Sequence, residues 1–206
     1  MFKKILRAKP GKPSHAEPII VVSGLPRSGT SMMMKMLSEG GLDVVTDAIR
    51  AADEDNPNGY FEFEPVKQLK AGEAAWLNGA EGKLVKVISA LLEYLPADRQ
   101  YKVVFMEREI PEILASQQKM LQRRNEVSKI PDAELAAQFR EHLKAIKYWL
   151  ARQSNMGVMY VDYNRLMAEP DSYCLAVADF VGLSLDVARM RGVPNESLYR
   201  NRAASS

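Results

Sequence analysis

The feature that most restricts what this chain can fold into is a short apolar run, Ile19 to Ser23. It passes directly into Gly24-Leu25-Pro26-Arg27-Ser28-Gly29-Thr30-Ser31. The run is rich in β-branched residues and shows no polar alternation, which suits a strand buried on both faces, as in a parallel sheet. Ser31 to Glu39 reads as a helix ended by Gly40-Gly41. A strand, a glycine-bearing turn and a helix N-terminus together make an anion site. The first N–H groups of the helix lack intrahelical partners, and the helix dipole favours negative charge there. Gly24 and Gly29 let the backbone approach a phosphate closely. Thr30 and Ser31 add hydroxyl donors, and Arg27 adds a fixed positive charge. The alternative for such a turn is a purely structural strand-to-helix connection.

The loop keeps the spacing of the ATP-binding pattern G-x-x-x-x-G-K-[ST], but Thr30 stands where that pattern has lysine. The missing lysine is the group that reaches the β- and γ-phosphates of a triphosphate. Its absence argues against ATP or GTP and fits a nucleotide with a shorter anionic chain. Arg27, three residues earlier, supplies the charge instead.

Further strands are expected at Lys102 to Met106, Gly157 to Asp162 and around Leu84 to Ile88. Pro111 occupies a position that a helix first turn tolerates, and Glu112 to Leu121 continues that helix. Asp132 to Arg152 reads as a longer helix, with Leu135, Phe139, Leu143, Ile146 and Leu150 on one face. Asp171 to Val181 reads as another, closed by Gly182. Met32, Met33, Met34 and Met36 are expected to pack against the sheet. Strands alternating with helices predict an α/β, P-loop-type three-layer fold, with a central parallel sheet of about four to five strands flanked by helices.

Composition narrows the function classes. A chain of 206 residues has room for one such domain. The formal net charge of +2 gives no argument for nucleic acid. With one cysteine, Cys174, and two histidines, His15 and His142, neither a disulfide nor a Cys- or His-based metal site is expected. His142 is read as solvated or at the core edge. No apolar run approaches the roughly 18 residues of a membrane span. Residues 1–17 read as a basic tail, either solvated or touching an anionic membrane surface, with the domain at 18–206 and a cytoplasmic location expected.

Pro26-Arg27-Ser28-Gly29-Thr30-Ser31 resembles the P-[KR]-S-G-T-[TS] loop of the sulfotransferase family. The arginine in its second place is similar to the tyrosylprotein and bacterial branches. Arg108 and Ser116 resemble a second family signature, an arginine ending a strand with a serine eight residues on. The resemblance implies that this pair contacts the 3′-phosphate of a 3′-phosphoadenosine 5′-phosphosulfate (PAPS) donor. It also implies that Arg27, Ser28, Gly29, Thr30 and Ser31 hold the 5′ side, and that the product is adenosine 3′,5′-bisphosphate (PAP). Arginine forks suit phosphate oxygens, and carboxyl ends of strands are where doubly wound sheets bind ligands. Tyr160-Val161-Asp162-Tyr163-Asn164-Arg165-Leu166 is similar to a family segment and is read as structural. Arg200 and Arg202 resemble a basic tail that closes over the donor in bacterial members, with a solvated end as the alternative.

Sulfuryl transfer needs in-line attack by a hydroxyl, a base for its proton, and cations on the leaving phosphate. The resemblance implies catalytic roles for Arg27 and for a carboxylate. Ile88 stands where cytosolic members carry the base histidine. Asn56-Pro57-Asn58-Gly59-Tyr60-Phe61-Glu62-Phe63-Glu64 resembles the G-Y-F-E segment of bacterial members, which makes Glu62 the expected base and Glu64 the second candidate. Lys86 is a candidate for the donor's bridging oxygen. The acceptor is expected to be a small-molecule or carbohydrate hydroxyl, with the pocket shaped by residues 43–80 and no metal required. Two other functions fit the same loop: a P-loop small-molecule kinase, and a non-catalytic module that binds the donor.

Overall fold

The computed structural model describes residues 17–47 and 59–194. The basic tail, His15, Asn56 to Asn58, Arg200 and Arg202 lie outside them. Four strands form one parallel sheet: β1 (Ile19–Gly24), β2 (Leu84–Lys86), β3 (Tyr101–Glu107) and β4 (Met156–Asp162), in the order β2-β1-β3-β4. All three pairings are parallel, with Val22 opposite both Lys86 and Val104, and Val104 opposite Met159. The helices are α1 (Thr30–Glu39), α2 (Ile110–Arg123), α3 (Asp132–Leu150), α4 (Tyr163–Ala168), α5 (Pro170–Val181) and α6 (Val187–Arg191).

The unbroken apolar run of β1 behaves as a centrally placed parallel strand must. Every one of its residues is buried, and alternate side chains feed two separate cores. Ile20 and Val22 join Val104 and Val161 on one face, under α1, α4, α5 and α6. Met32, Met33, Met34 and Met36 all lie in that core. Ile19 and Val21 join Val103 and Phe105 on the other face, under Ile146 and Leu150 of α3 and the 3-10 helices Glu64–Ala71 and Ser89–Tyr94. Leu135, Phe139 and Leu143 are half-buried, so the stripe on α3 is deepest at its C-terminal end. The expected strand at Leu84 to Ile88 is shorter, because after Lys86 the chain turns into the 3-10 helix at Ser89. His142 sits at the core edge, where its Nε2 meets the buried Ser89 hydroxyl at 2.8 Å.

Strand order fixes where a ligand can go. From β1 the chain moves out to β2 on one side, then returns to β3 on the other. The carboxyl ends of β1 and β3 therefore diverge into a crevice at the switch point of the sheet. The glycine-bearing loop leaves β1 at that edge, and Arg108 follows β3 there.

Candidate functional site

All four strands deliver side chains to this edge. The loop follows β1, Lys86 ends β2, Arg108 follows β3, and Tyr163 and Asn164 follow β4. The loop itself is a tight structure. Gly24 has φ 146°, and a Cβ there would lie 2.6 Å from both the Met106 carbonyl oxygen and the Ser28 hydroxyl. The Ser28 hydroxyl and N–H both donate to the Leu25 carbonyl, at 2.7 and 3.2 Å. Arg27 takes φ 70°, a left-handed conformation unusual for a side chain of its size. Gly29 caps α1 at φ 97°, and a Cβ there would lie 2.4 Å from Cδ2 of Tyr163. The glycines are thus required by protein-on-protein packing that brings α1, β3 and α4 together at the loop.

The charged side chains are tied to this frame. Arg27 Nε donates to the Ser116 hydroxyl on α2 at 3.0 Å, across 89 residues of sequence. Arg108 Nη1 donates to the Arg27 carbonyl at 3.3 Å, which helps hold the left-handed backbone of Arg27 in place. Lys86 Nζ donates to the Ser31 hydroxyl at 3.0 Å and to the Tyr60 carbonyl at 2.9 Å. The sequence-predicted residues Arg27, Ser28, Gly29, Thr30, Ser31, Lys86, Arg108 and Ser116 accordingly fall at one edge of the sheet.

Arg108 is itself embedded, with its side chain 7% exposed. Its Nε donates to Oε2 of Glu112 at 2.8 Å, one helical turn on. Glu112 is 2% exposed, and its Oε1 accepts from Asn164 Nδ2 at 3.1 Å. The Arg108 guanidinium lies 4.4 Å from the centre of the Tyr163 ring, a cation–π contact that is worth about 2 kcal/mol when desolvated. Removing one member of such a buried ion pair costs about 3–5 kcal/mol, because the other charge is left uncompensated. Burial pushes the Tyr163 hydroxyl above its ordinary range, with the Arg108 charge pulling the other way. Tyr163 therefore serves as a neutral platform. Sequence reasoning assigns Glu112 no role, and it places Tyr163 and Asn164 in a segment read as structural. The signals for them were the four-residue spacing from Arg108 to Glu112 and the position of Tyr163-Asn164 just past a strand end.

The acid candidates sit where the chain enters the 3-10 helix Glu64–Ala71, ahead of β2. Tyr60 is buried, and its carbonyl is the one bound by Lys86. Glu62, two residues on, is half-buried, and its carbonyl accepts from the Thr46 hydroxyl at 2.9 Å. The Glu64 carboxylate instead pairs with exposed Lys67 at 2.6 Å, and its N–H donates to Asp47 at 2.6 Å. An open concavity of about 540 Å³ is lined by Glu64, Pro65, Gln68, Glu73, Ala75 and Trp76. Its lining includes no residue of the glycine-bearing loop, so it belongs to the 43–80 region. Among the described residues no cluster of three or more His, Cys, Asp or Glu is arranged to hold a metal ion, and no helix is long and apolar enough to cross a membrane.

The family model of the sulfotransferase domain matches residues 17–203. No curated protein sequence matches the chain. Among solved structures, a mouse sulfotransferase complexed with PAP is 14% identical, with a TM-score of 0.57 over 92% of this chain and 68% of that one. The sulfotransferase domain of the Synechococcus PCC 7002 olefin synthase is 15% identical, with a TM-score of 0.51 over 96% and 88%. The sulfotransferase domain from the curacin biosynthetic pathway is 12% identical, with a TM-score of 0.52 over 86% and 77%.

Proposed function

The chain belongs to the sulfotransferase domain family, and from that membership we propose that it transfers a sulfuryl group from PAPS to the hydroxyl of a small molecule or carbohydrate. The observation that carries the reading is the convergence of Arg27, Lys86, Arg108 and Ser116 on the loop at the switch point of the sheet. Several cationic and hydroxyl donors fixed by packing suit a ligand with phosphate at two ends. The pairing of Arg108 with the backbone of Arg27 sets the two arginines at a defined separation, as recognition of a 3′,5′-bisphosphate requires. PAP in the mouse relative agrees with this ligand class.

The donor supplies the electrophilic sulfur and a phosphate leaving group. Ser28, Gly29, Thr30 and Ser31 bind the 5′-phosphate side through loop N–H groups and hydroxyls. Arg108 and Ser116 bind the 3′-phosphate. The acceptor oxygen forms the new bond to sulfur as the bond from sulfur to the phosphate oxygen breaks. Arg27 and Lys86 stabilise the charge that collects on that oxygen, and Glu62 takes the acceptor's proton. Glu62 is preferred over Glu64 because it is half-buried and lies two residues from the Tyr60 carbonyl that Lys86 binds, whereas Glu64 is exposed. A cytoplasmic site of action fits a donor of this kind.

The test is calorimetry of the full chain with adenosine 3′,5′-bisphosphate and, separately, with ATP and magnesium. Bisphosphate binding that weakens in both Arg27→Ala and Arg108→Ala is expected, together with a Glu62→Gln variant that binds as wild type but turns over slowly. Tight ATP binding without bisphosphate binding would select the kinase instead. Bisphosphate binding with no transfer to any hydroxyl acceptor would select the non-catalytic module. An unchanged rate in Glu62→Gln would remove Glu62 as the base.

A further inference from the structure

Glu112 is an acid at 2% exposure, in a position that a carboxylate occupies only when it is fully engaged. Both of its oxygens are used, Oε2 by Arg108 and Oε1 by Asn164. The Arg108 guanidinium is thereby fixed from three directions. Glu112 holds its Nε edge, the Arg27 carbonyl takes Nη1, and the Tyr163 ring covers one face. A guanidinium is a rigid planar fork, and its value in phosphate recognition lies in presenting two N–H groups at a set angle. Of these three holds, Glu112 is the one that brings an opposite charge, which makes it the strongest.

We propose that Glu112 is a positioning residue that aims Arg108 at the donor's 3′-phosphate, and so sets the preference for a 3′,5′-bisphosphate over a 5′-monophosphate. The proposal rests on the donor reading given above. An opposite effect is built into the same contact, since the negative charge of Glu112 repels an incoming phosphate. Loss of aim is expected to outweigh the relief of that repulsion when Glu112 is removed, because recognition by a guanidinium fork depends on its geometry. Tyr163 and Asn164 take part through it. Asn164 grips the far oxygen of Glu112, and Tyr163 backs both the guanidinium and Gly29.

The experiment is calorimetry of the full chain with adenosine 3′,5′-bisphosphate and adenosine 5′-monophosphate, for wild type, Glu112→Ala and Glu112→Gln. Glu112→Ala is expected to weaken the bisphosphate by about tenfold or more while moving the monophosphate less than about twofold. Glu112→Gln retains an oxygen for Arg108 Nε and is expected to recover most of that preference. Should circular dichroism show that Glu112→Ala does not fold, a smaller loss confined to the bisphosphate in Glu112→Gln decides the question. Parallel losses for the two ligands would reduce Glu112 to a structural role. An unchanged or tighter bisphosphate would make it a counter-anion opposing the phosphate. Either result overturns the proposal while leaving the donor reading intact. A wild type that binds no bisphosphate overturns both.

Discussion

Gly29 shows how much of the site is decided by single positions. Its φ of 97° lies where side chains are strained, and the space a Cβ needs is filled by the Tyr163 ring at 2.4 Å. Relief requires Tyr163 to move, yet Tyr163 also carries the Arg108 guanidinium on its face. Gly29→Ala is therefore expected to lower folding stability by about 2–4 kcal/mol, as read from the urea midpoint. A loss below about 1 kcal/mol would show that the ring yields easily. Positions such as Gly24, Gly29 and Arg27 were legible in the sequence because a strand-loop-helix anion site needs small residues and charge at fixed offsets. Arg108 and Ser116 were legible through the resemblance of their eight-residue spacing. The contacts that support them were not, since Tyr163 and Asn164 reach Arg108 and Glu112 only after β4 has paired with β3 in register. No local pattern encodes a partner 52 residues away, as Asn164 is from Glu112.

At the scale of elements, the support for the site runs through α4, a helix of only six residues. So short a helix has no stability of its own. It is held by its cap, where Asp162 Oδ1 accepts from the Arg165 N–H at 2.9 Å, and by burial of Tyr163, Leu166 and Met167. Asp162→Ala is expected to cost about 1 kcal/mol. It is also expected to weaken bisphosphate binding, though less than Arg108→Ala, because a fraying α4 loosens the platform without removing the fork. Chemical denaturation and calorimetry on the same preparation check both parts. A stability loss with unchanged affinity would uncouple α4 from the site. The longer elements were readable from sequence because β1, β3, α3 and α5 have enough residues to show a period or an unbroken run. Helix α4 and the 3-10 helices Glu64–Ala71 and Ser89–Tyr94 were not, since six to eight residues give no period to read. Their existence follows from tertiary packing on a sheet whose strands were themselves visible.

On the scale of the whole molecule, the two cores and the site are coupled through one sheet, and Cys174 offers a probe of that coupling. It is the only cysteine in the chain, sits at 0% exposure on α5, and belongs to the core that contains the methionines of α1. Burial raises its thiol above the ordinary range, so the folded protein presents neither access nor thiolate to a reagent. Modification must then proceed through opening of the core. Helix α1 starts at the glycine-bearing loop and packs in that same core, so an opening that exposes Cys174 is expected to dismantle the loop as well. A ligand that binds only the closed form lowers the open population by the factor 1 + [L]/Kd. With adenosine 3′,5′-bisphosphate at 100 times its Kd, the rate of Cys174 modification by an aromatic disulfide is expected to fall about 100-fold, in the regime where closing outpaces labelling. Arg108→Ala at the same bisphosphate concentration is expected to lose most of that protection. A labelling rate indifferent to the ligand would mean that α5 opens alone, leaving α1 and the loop in place, and that the face carrying α4, α5 and α6 is a separate cooperative unit.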